Sequence, residues 1–111
     1  MVDFSLRVIE TADRTVVTVR GELDIATCVE LQRALEAALA RPSDVVVELA
    51  DVAFIDSTAL QVVAAASAAL ERAGRRLVLA APSAVVVRAI TLCGVQELLT
   101  IQPDRPDDRA P

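Results

Sequence analysis

The sequence predicts an α/β fold, a mixed β-sheet whose helices cover mainly one face. Short β-branched runs alternate along the chain with segments whose apolar residues recur at helical spacing, and the inner strands read as apolar throughout. Turn-formers and helix breakers such as Pro42, Gly74, Pro82 and Gly94 fall between these segments.

Residues 4–10 alternate Phe4, Leu6 and Val8 with Ser5, Arg7 and Ile9, the pattern of a half-buried strand, and residues 14–20 follow with Val16-Val17-Thr18-Val19. Thr11-Ala12-Asp13 between them suits a hairpin turn. The Thr27-x-x-Glu30 spacing predicts a capping box, after which Cys28, Leu31, Leu35, Ala38 and Leu39 share one helix face until Pro42. Residues 44–49 form the next strand. A helix opening near Ser57 and ending at Gly74, with Leu60, Val63, Ala64, Ser67 and Leu70 in step, leads to a strand over 76–80. That strand-helix-strand unit should be a right-handed parallel crossover. Pro82-Ser83 opens the last long helix, and the Arg75-Arg76 pair is expected to complement the dipole of the helix it follows.

A chain of 111 residues can bury a single core without disulfide or metal support, and with 54% hydrophobic residues but only two phenylalanines that core must be built from Val, Leu, Ile and Ala. No apolar run reaches the roughly 18 residues of a membrane span, and the first residues lack the basic-then-apolar pattern of a signal peptide, so cytoplasm is expected, without membrane insertion. The net charge is −5, with every one of its 11 bases an arginine and no basic stripe interleaved with aromatics, which argues against direct nucleic-acid binding.

Histidine is absent, which removes Ser-His-Asp triads, Cys-His dyads and the usual His-bearing zinc sites. Cys28 and Cys93 stand alone on separate predicted helices and read as small core hydrophobes. The three glycines fall singly, so no phosphate loop is present. Glu22, Asp24 and Asp56 are the loop-associated candidates for paired-carboxylate chemistry, with no evident substrate pocket. No catalytic residue, metal site or cofactor is expected, and the chain is not expected to be an enzyme.

The most informative stretch is Phe54-Ile55-Asp56-Ser57-Thr58-Ala59-Leu60, where an apolar strand meets an amphipathic helix through an acid and two hydroxyls. The first N–H groups of a helix lack intrahelical acceptors and carry the positive end of the peptide dipole, so Ser57 is a natural N-cap or first-turn residue at a point that favours an anion. This junction resembles that of the anti-sigma factor antagonists, the family of the STAS fold, whose apolar strand is followed by Asp-Ser-(Ser or Thr)-Gly-Leu opening a helix. Here it reads Asp56-Ser57-Thr58-Ala59-Leu60. Two further stretches are similar to the family: Gly21-Glu22-Leu23-Asp24, followed by Ala26-Thr27 opening a helix, resembles its loop after the second strand, and Val87-Arg88-Ala89-Ile90-Thr91-Leu92-Cys93-Gly94-Val95 its last main helix and the exit from it.

The resemblance implies a regulatory switch. The unphosphorylated protein would bind an anti-sigma factor that is also a serine kinase using ATP and Mg2+, and so release a sigma factor. Phosphorylation of Ser57 would end that binding, and a serine phosphatase would reset it. The implied partner-binding residues are Asp24, Asp56, Ser57, Thr58, Ala59 and Leu60, with Thr58 a lesser candidate phosphoacceptor. Ala59 departs from the family's glycine, and its Cβ is expected to project where a partner approaches. Two other readings stand beside this one: a STAS-domain subunit of a bacterial lipid or solute ABC transporter, docking on an ATPase through the same helix start, and a small-ligand or nucleotide-binding module. Residues 1–102 are expected to form the STAS domain, and residues 103–111, rich in proline and charge with nothing apolar to bury, a disordered acidic tail.

Overall fold

A computed structural model describes residues 3–106. The elements run β1 (Ser5–Glu10), β2 (Arg14–Leu23), α1 (Ile25–Leu39), β3 (Asp44–Ile55), α2 (Ser57–Arg72), β4 (Leu77–Ala80), α3 (Ala84–Cys93), a single 3-10 turn (Gln96–Leu98) and β5 (Thr100–Gln102). The strands lie side by side in chain order, with β1 antiparallel to β2 and every later pair parallel. The mixed α/β sheet expected from the sequence is present.

Burial follows the strand alternation. Val17, Val19, Val45, Val47, Leu77 and Leu79 point to one face, where they meet Leu31 and Leu35 of α1, Leu60, Val63 and Leu70 of α2, and Val86 and Ile90 of α3. Among the described residues the opposite face carries a small buried apolar cluster of Val16, Val46 and Ala80, against which Ile9 packs. All of the helical packing therefore lies on one side. On β1 the alternation holds at Leu6, which is half-buried, but Val8 on the edge strand is 40% exposed.

The helix ends show how local chemistry sets boundaries. Gly74 at φ 75° and Gly94 at φ 70° take the left-handed conformation that closes α2 and α3, and the N–H of Arg75 and of Val95 reach back to the carbonyls of Leu70 and Ile90. Ser83 caps α3, accepting from the N–H of Val86, and its hydroxyl donates to the carbonyl of Val52 at 2.7 Å.

Several expectations are corrected. The predicted loop at Gly21-Glu22-Leu23 is strand, because β2 continues to Leu23 beside a β3 that itself runs on to Ile55. This extension is irregular: β3 shifts register against β2 between Thr18 and Arg20 and again between Gly21 and Glu22, two bulges in the half of the strand that leads to the junction. The capping box of α1 is formed by Asp24 and Thr27, not by Thr27 and Glu30, so the helix begins earlier than expected. The inner strands are not wholly apolar, since Glu48 in the middle of β3 is 3% exposed. Cys28 is buried, but Cys93 on the last residue of α3 is exposed. Arg75 does not serve its own helix; its guanidinium crosses to the end of α1. The described start of the tail is held, with Arg105 reaching back to β3, while the rest of the expected disordered tail, 107–111, lies outside the described residues.

Gly21 has a specific reason to be glycine. Its φ is 94°, and a Cβ there would lie 2.5 Å from the carbonyl oxygen of Asp3 and 2.9 Å from the Cα of Phe4. Gly21→Ala is therefore expected to destabilise the protein by about 2 kcal/mol, from left-handed strain and displaced backbone together. Because Asp3 and Phe4 precede β1, the loss of amide protection should begin in β1. Hydrogen exchange that instead loosens the β3–β4 ladder first would refute this account.

Candidate functional site

β2 and β3 end level with one another. Leu23 pairs with Ile55, and the N–H of Asp56 donates to the carbonyl of Leu23 at 3.1 Å. Each strand then passes into a helix through an aspartate, Asp24 before α1 and Asp56 before α2. Two helix N-termini consequently open at the same end of the sheet, and their unpaired N–H groups and dipoles make that end favourable to negative charge.

Asp24 is fixed by reciprocal bonds. Its Oδ1 accepts from the N–H of Thr27 at 3.0 Å, while the Thr27 hydroxyl oxygen accepts from the N–H of Asp24 at 3.0 Å and the hydroxyl donates to the carbonyl of Glu22 at 2.7 Å. The Thr27 N–H bond is the main reason the Asp24 carboxyl is held below the usual carboxylate range. A carboxylate stabilised in this way supports the fold above its unfolded pKa and loses that support as pH falls through its lowered one.

Asp56 caps α2, its Oδ1 accepting from the N–H of Ala59 at 3.0 Å. Its charge is felt across the gap between the helix starts: burial pushes the Cys28 thiol up, and the Asp56 carboxylate adds to that shift. Ser57 is thus the first helical residue, not the cap. It is exposed, and its hydroxyl has no partner among the described residues. Thr58 is exposed too, at the mouth of an apolar groove of about 310 Å³ between α1 and α2, lined in part by Leu35, Leu39, Val62 and Ala66.

Ala59 and Leu60 are 0% and 1% exposed. The expectation that the Ala59 Cβ projects toward a partner is corrected: it faces the core, on the same stripe as Val63 and Leu70. Leu60 likewise supports the junction from beneath and offers no side-chain surface. Of the residues expected to bind a partner, Asp24, Asp56, Ser57 and Thr58 are accessible, and the structure brings the two aspartates and the serine to one end of the sheet.

Sequence reasoning missed the exposed apolar residues on the elements that meet at this end of the sheet. Ile25 and Val29, one turn apart on α1, are 72% and 46% exposed, and Phe54, just before the junction, is 46% exposed. Ile25 and Val29 lie off the stripe defined by Cys28, Leu31 and Leu35, and that mismatch was the available signal. Exposed apolar side chains on the segments that carry the two aspartates and the serine are in keeping with an interaction surface. Among the described residues no group of three or more His, Cys, Asp or Glu could hold a metal ion, and no helix is long and apolar enough to cross a membrane.

A one-faced mixed sheet whose β3 delivers Asp-Ser to the start of a helix defines the class. A family model described as "Mlab, STAS domain" matches residues 6–100, and the chain belongs to the STAS-domain family. No curated protein matches the sequence significantly. Among solved structures, an anti-sigma factor antagonist from Mycobacterium paratuberculosis is 26% identical with a TM-score of 0.81, covering 91% of this chain and 86% of that one. The anti-sigma factor antagonist SpoIIAA in its unphosphorylated form is 21% identical with a TM-score of 0.72, covering 89% and 87% respectively. The phosphorylated form of the Bacillus cell fate determinant SpoIIAA is 20% identical with a TM-score of 0.68, covering 89% and 90%. The two SpoIIAA structures establish likeness of fold.

Proposed function

We propose that this protein is a non-enzymatic anti-sigma factor antagonist in the cytoplasm, switched by phosphorylation of Ser57. The observation that carries the reading is an exposed, unbonded serine directly after the capping aspartate of α2, at the end of the sheet where α1 also begins with Ile25 exposed. Unphosphorylated, this surface binds an anti-sigma factor with serine kinase activity and so frees a sigma factor for transcription. ATP and Mg2+ belong to that kinase, and the antagonist itself needs no cofactor and touches no nucleic acid. In the kinase complex the Ser57 hydroxyl gives its proton to a base of the kinase as its Oγ attacks the γ-phosphorus of ATP, the bond from that phosphorus to the β-phosphate bridging oxygen breaks, ADP leaves, and a phosphoserine remains. A serine phosphatase hydrolyses it back to serine and inorganic phosphate.

A phosphate at Ser57 adds about −1.5 to −2 charge beside Asp56. Since the site is a helix N-terminus, the helix tolerates this charge. Release of the partner then comes from repulsion and lost fit at the surface, without unfolding. Support for the reading also comes from the antagonist identity of the Mycobacterium paratuberculosis protein, which shares this fold over most of both chains.

The test is labelling with the cognate kinase and ATP, followed by mass spectrometry. One phosphate on Ser57 is expected; Ser57→Ala should accept none, and Thr58→Val should still be labelled. Labelling of Ser57→Ala equal to wild type would end the phosphoswitch reading. Co-purification with an ABC-transporter ATPase, with no labelling at all, would establish the transporter-subunit reading instead.

A further inference from the structure

The helix-free face of the sheet carries a charge arrangement that the junction does not use. Glu48 sits in the middle of β3, in register with Thr18 on one side and Ala80 on the other, and is 3% exposed. Its Oε1 is buried without a hydrogen bond, and the Nη1 of Arg105 stands 3.2 Å from it, an ion pair lacking hydrogen-bond alignment. The same guanidinium reaches Asp51 Oδ1 through Nη2 at 3.4 Å, and Asp51 Oδ2 is 3.9 Å from Arg20 Nε. Arg105 belongs to no strand or helix; it follows β5 and its side chain is 62% exposed.

The placement of these two acids matters. Glu48 pairs with Thr18 and Asp51 with Arg20, so the first bulge of β3 lies between them. Arg105 therefore spans the bulge and grips the strand on both sides of it. From the neighbouring loop Ser83 braces the same stretch, its N–H on the carbonyl of Leu49 at 3.3 Å and its hydroxyl on the carbonyl of Val52. A bulge interrupts the ladder of backbone bonds, so this is where β3 depends most on outside support. The strand's next residues are Ala53 to Ile55, then Asp56 and Ser57.

We propose that residues 103–106 form a releasable electrostatic strap over the helix-free face, latched by Arg105 on Glu48 and Asp51, that steadies the bulged half of β3 and through it the junction at Asp56 and Ser57. Two opposing features make it a strap and not a fixed part of the sheet. A buried carboxylate stripped of its counter-charge is strongly unfavourable, which holds the strap down. The cation that neutralises it is mostly in solvent and poorly aligned, so salt competes for it and the strap can lift. Lifting it would unpin the bulge without removing any core residue.

The measurement is hydrogen exchange on the full chain at low and high sodium chloride, for wild type, Arg105→Gln, Glu48→Gln and the double variant. In wild type, raising the salt should speed exchange across 49–60 and 100–106, and at low salt Arg105→Gln should do so by about tenfold, less than the full cost of unpairing a buried charge because the lost cation is mostly in solvent. With Glu48→Gln the buried charge is gone, so adding Arg105→Gln should change exchange by no more than about threefold, the value of an exposed pair. Equal effects of Arg105→Gln in both backgrounds, or exchange in 49–60 indifferent to salt and to Arg105→Gln, would overturn the proposal. The outcome is independent of whether Ser57 is phosphorylated.

Discussion

Arg75→Ala should lower the stability of the protein by about 2–4 kcal/mol, from lost charge-assisted hydrogen bonds and the carbonyls left behind. Arg75 follows Gly74, whose left-handed turn directs the chain back toward α1. There the guanidinium donates from Nη1 to the carbonyl of Leu39 at 3.0 Å, from Nη2 to Ala38 at 3.0 Å, and from both Nε and Nη2 to Ser43 at 3.1 and 2.8 Å. Ala38 and Leu39 are in the last turn of α1, where the helix dipole is negative; the Ala38 carbonyl also accepts from the N–H of Arg41 at 3.1 Å, so at that carbonyl the guanidinium adds to a backbone bond. One side chain thus closes α1, fixes the turn into β3 and ties both to the end of α2. Arg75→Lys should recover only a fraction of the loss, since a single ammonium cannot match a planar fork aimed at three carbonyls. Urea titrations of the three proteins decide the matter, and a loss below about 0.5 kcal/mol for alanine, the level of an ordinary surface substitution, would show that these bonds carry no net stability.

Residue spacing reported the architecture because the core is an alternation of two periods. Val17, Val19, Val45 and Val47 repeat every second residue and Leu60, Val63 and Leu70 follow the helical period, so strand and helix could be separated by counting. Ala59 was misread although the same count reaches it, since it stands four residues before Val63 and so on the same inward face. Its direction follows from that spacing and not from its identity. Thr-x-x-Glu is the commoner sign of a capping box, yet Asp24 with Thr27 satisfies the same reciprocal geometry one turn earlier.

The remaining differences depend on long-range partners. Glu48 and Arg105 are 57 positions apart, and Arg75 and Ala38 are 37 apart, separations at which local sequence carries no sign of pairing. The extension of β2 to Leu23 depends on β3 running beside it through two bulges, which no pattern within either strand announces. The three-residue β5, all of it exposed, has too few residues to show alternation and exists as a strand because β4 offers it an edge.

Ser57→Asp should leave the fold nearly unchanged and abolish most partner binding. The cap of α2 is Asp56, so replacing the next residue leaves the bond from Asp56 to the N–H of Ala59 in place. A carboxylate at the first helical position is favoured by the dipole, and the stability change should stay within about 1 kcal/mol. Binding is different, because docking would desolvate a second negative charge beside Asp56 against a surface shaped for a neutral hydroxyl. A penalty of several kcal/mol is the scale for an unpaired charge at an interface, so affinity for the proposed anti-sigma kinase should fall by about 100-fold or more. Ser57→Asn, close in size but neutral, separates charge from bulk: it should bind much closer to Ser57→Ala than to Ser57→Asp. Part of the Ser57→Asp defect should also ease as ionic strength rises. Calorimetry on the four proteins against the same partner gives the answer. Equal impairment by asparagine and aspartate would make the switch one of shape alone, and unimpaired binding by Ser57→Asp would remove the phosphoswitch and leave this helix start as a constitutive docking surface.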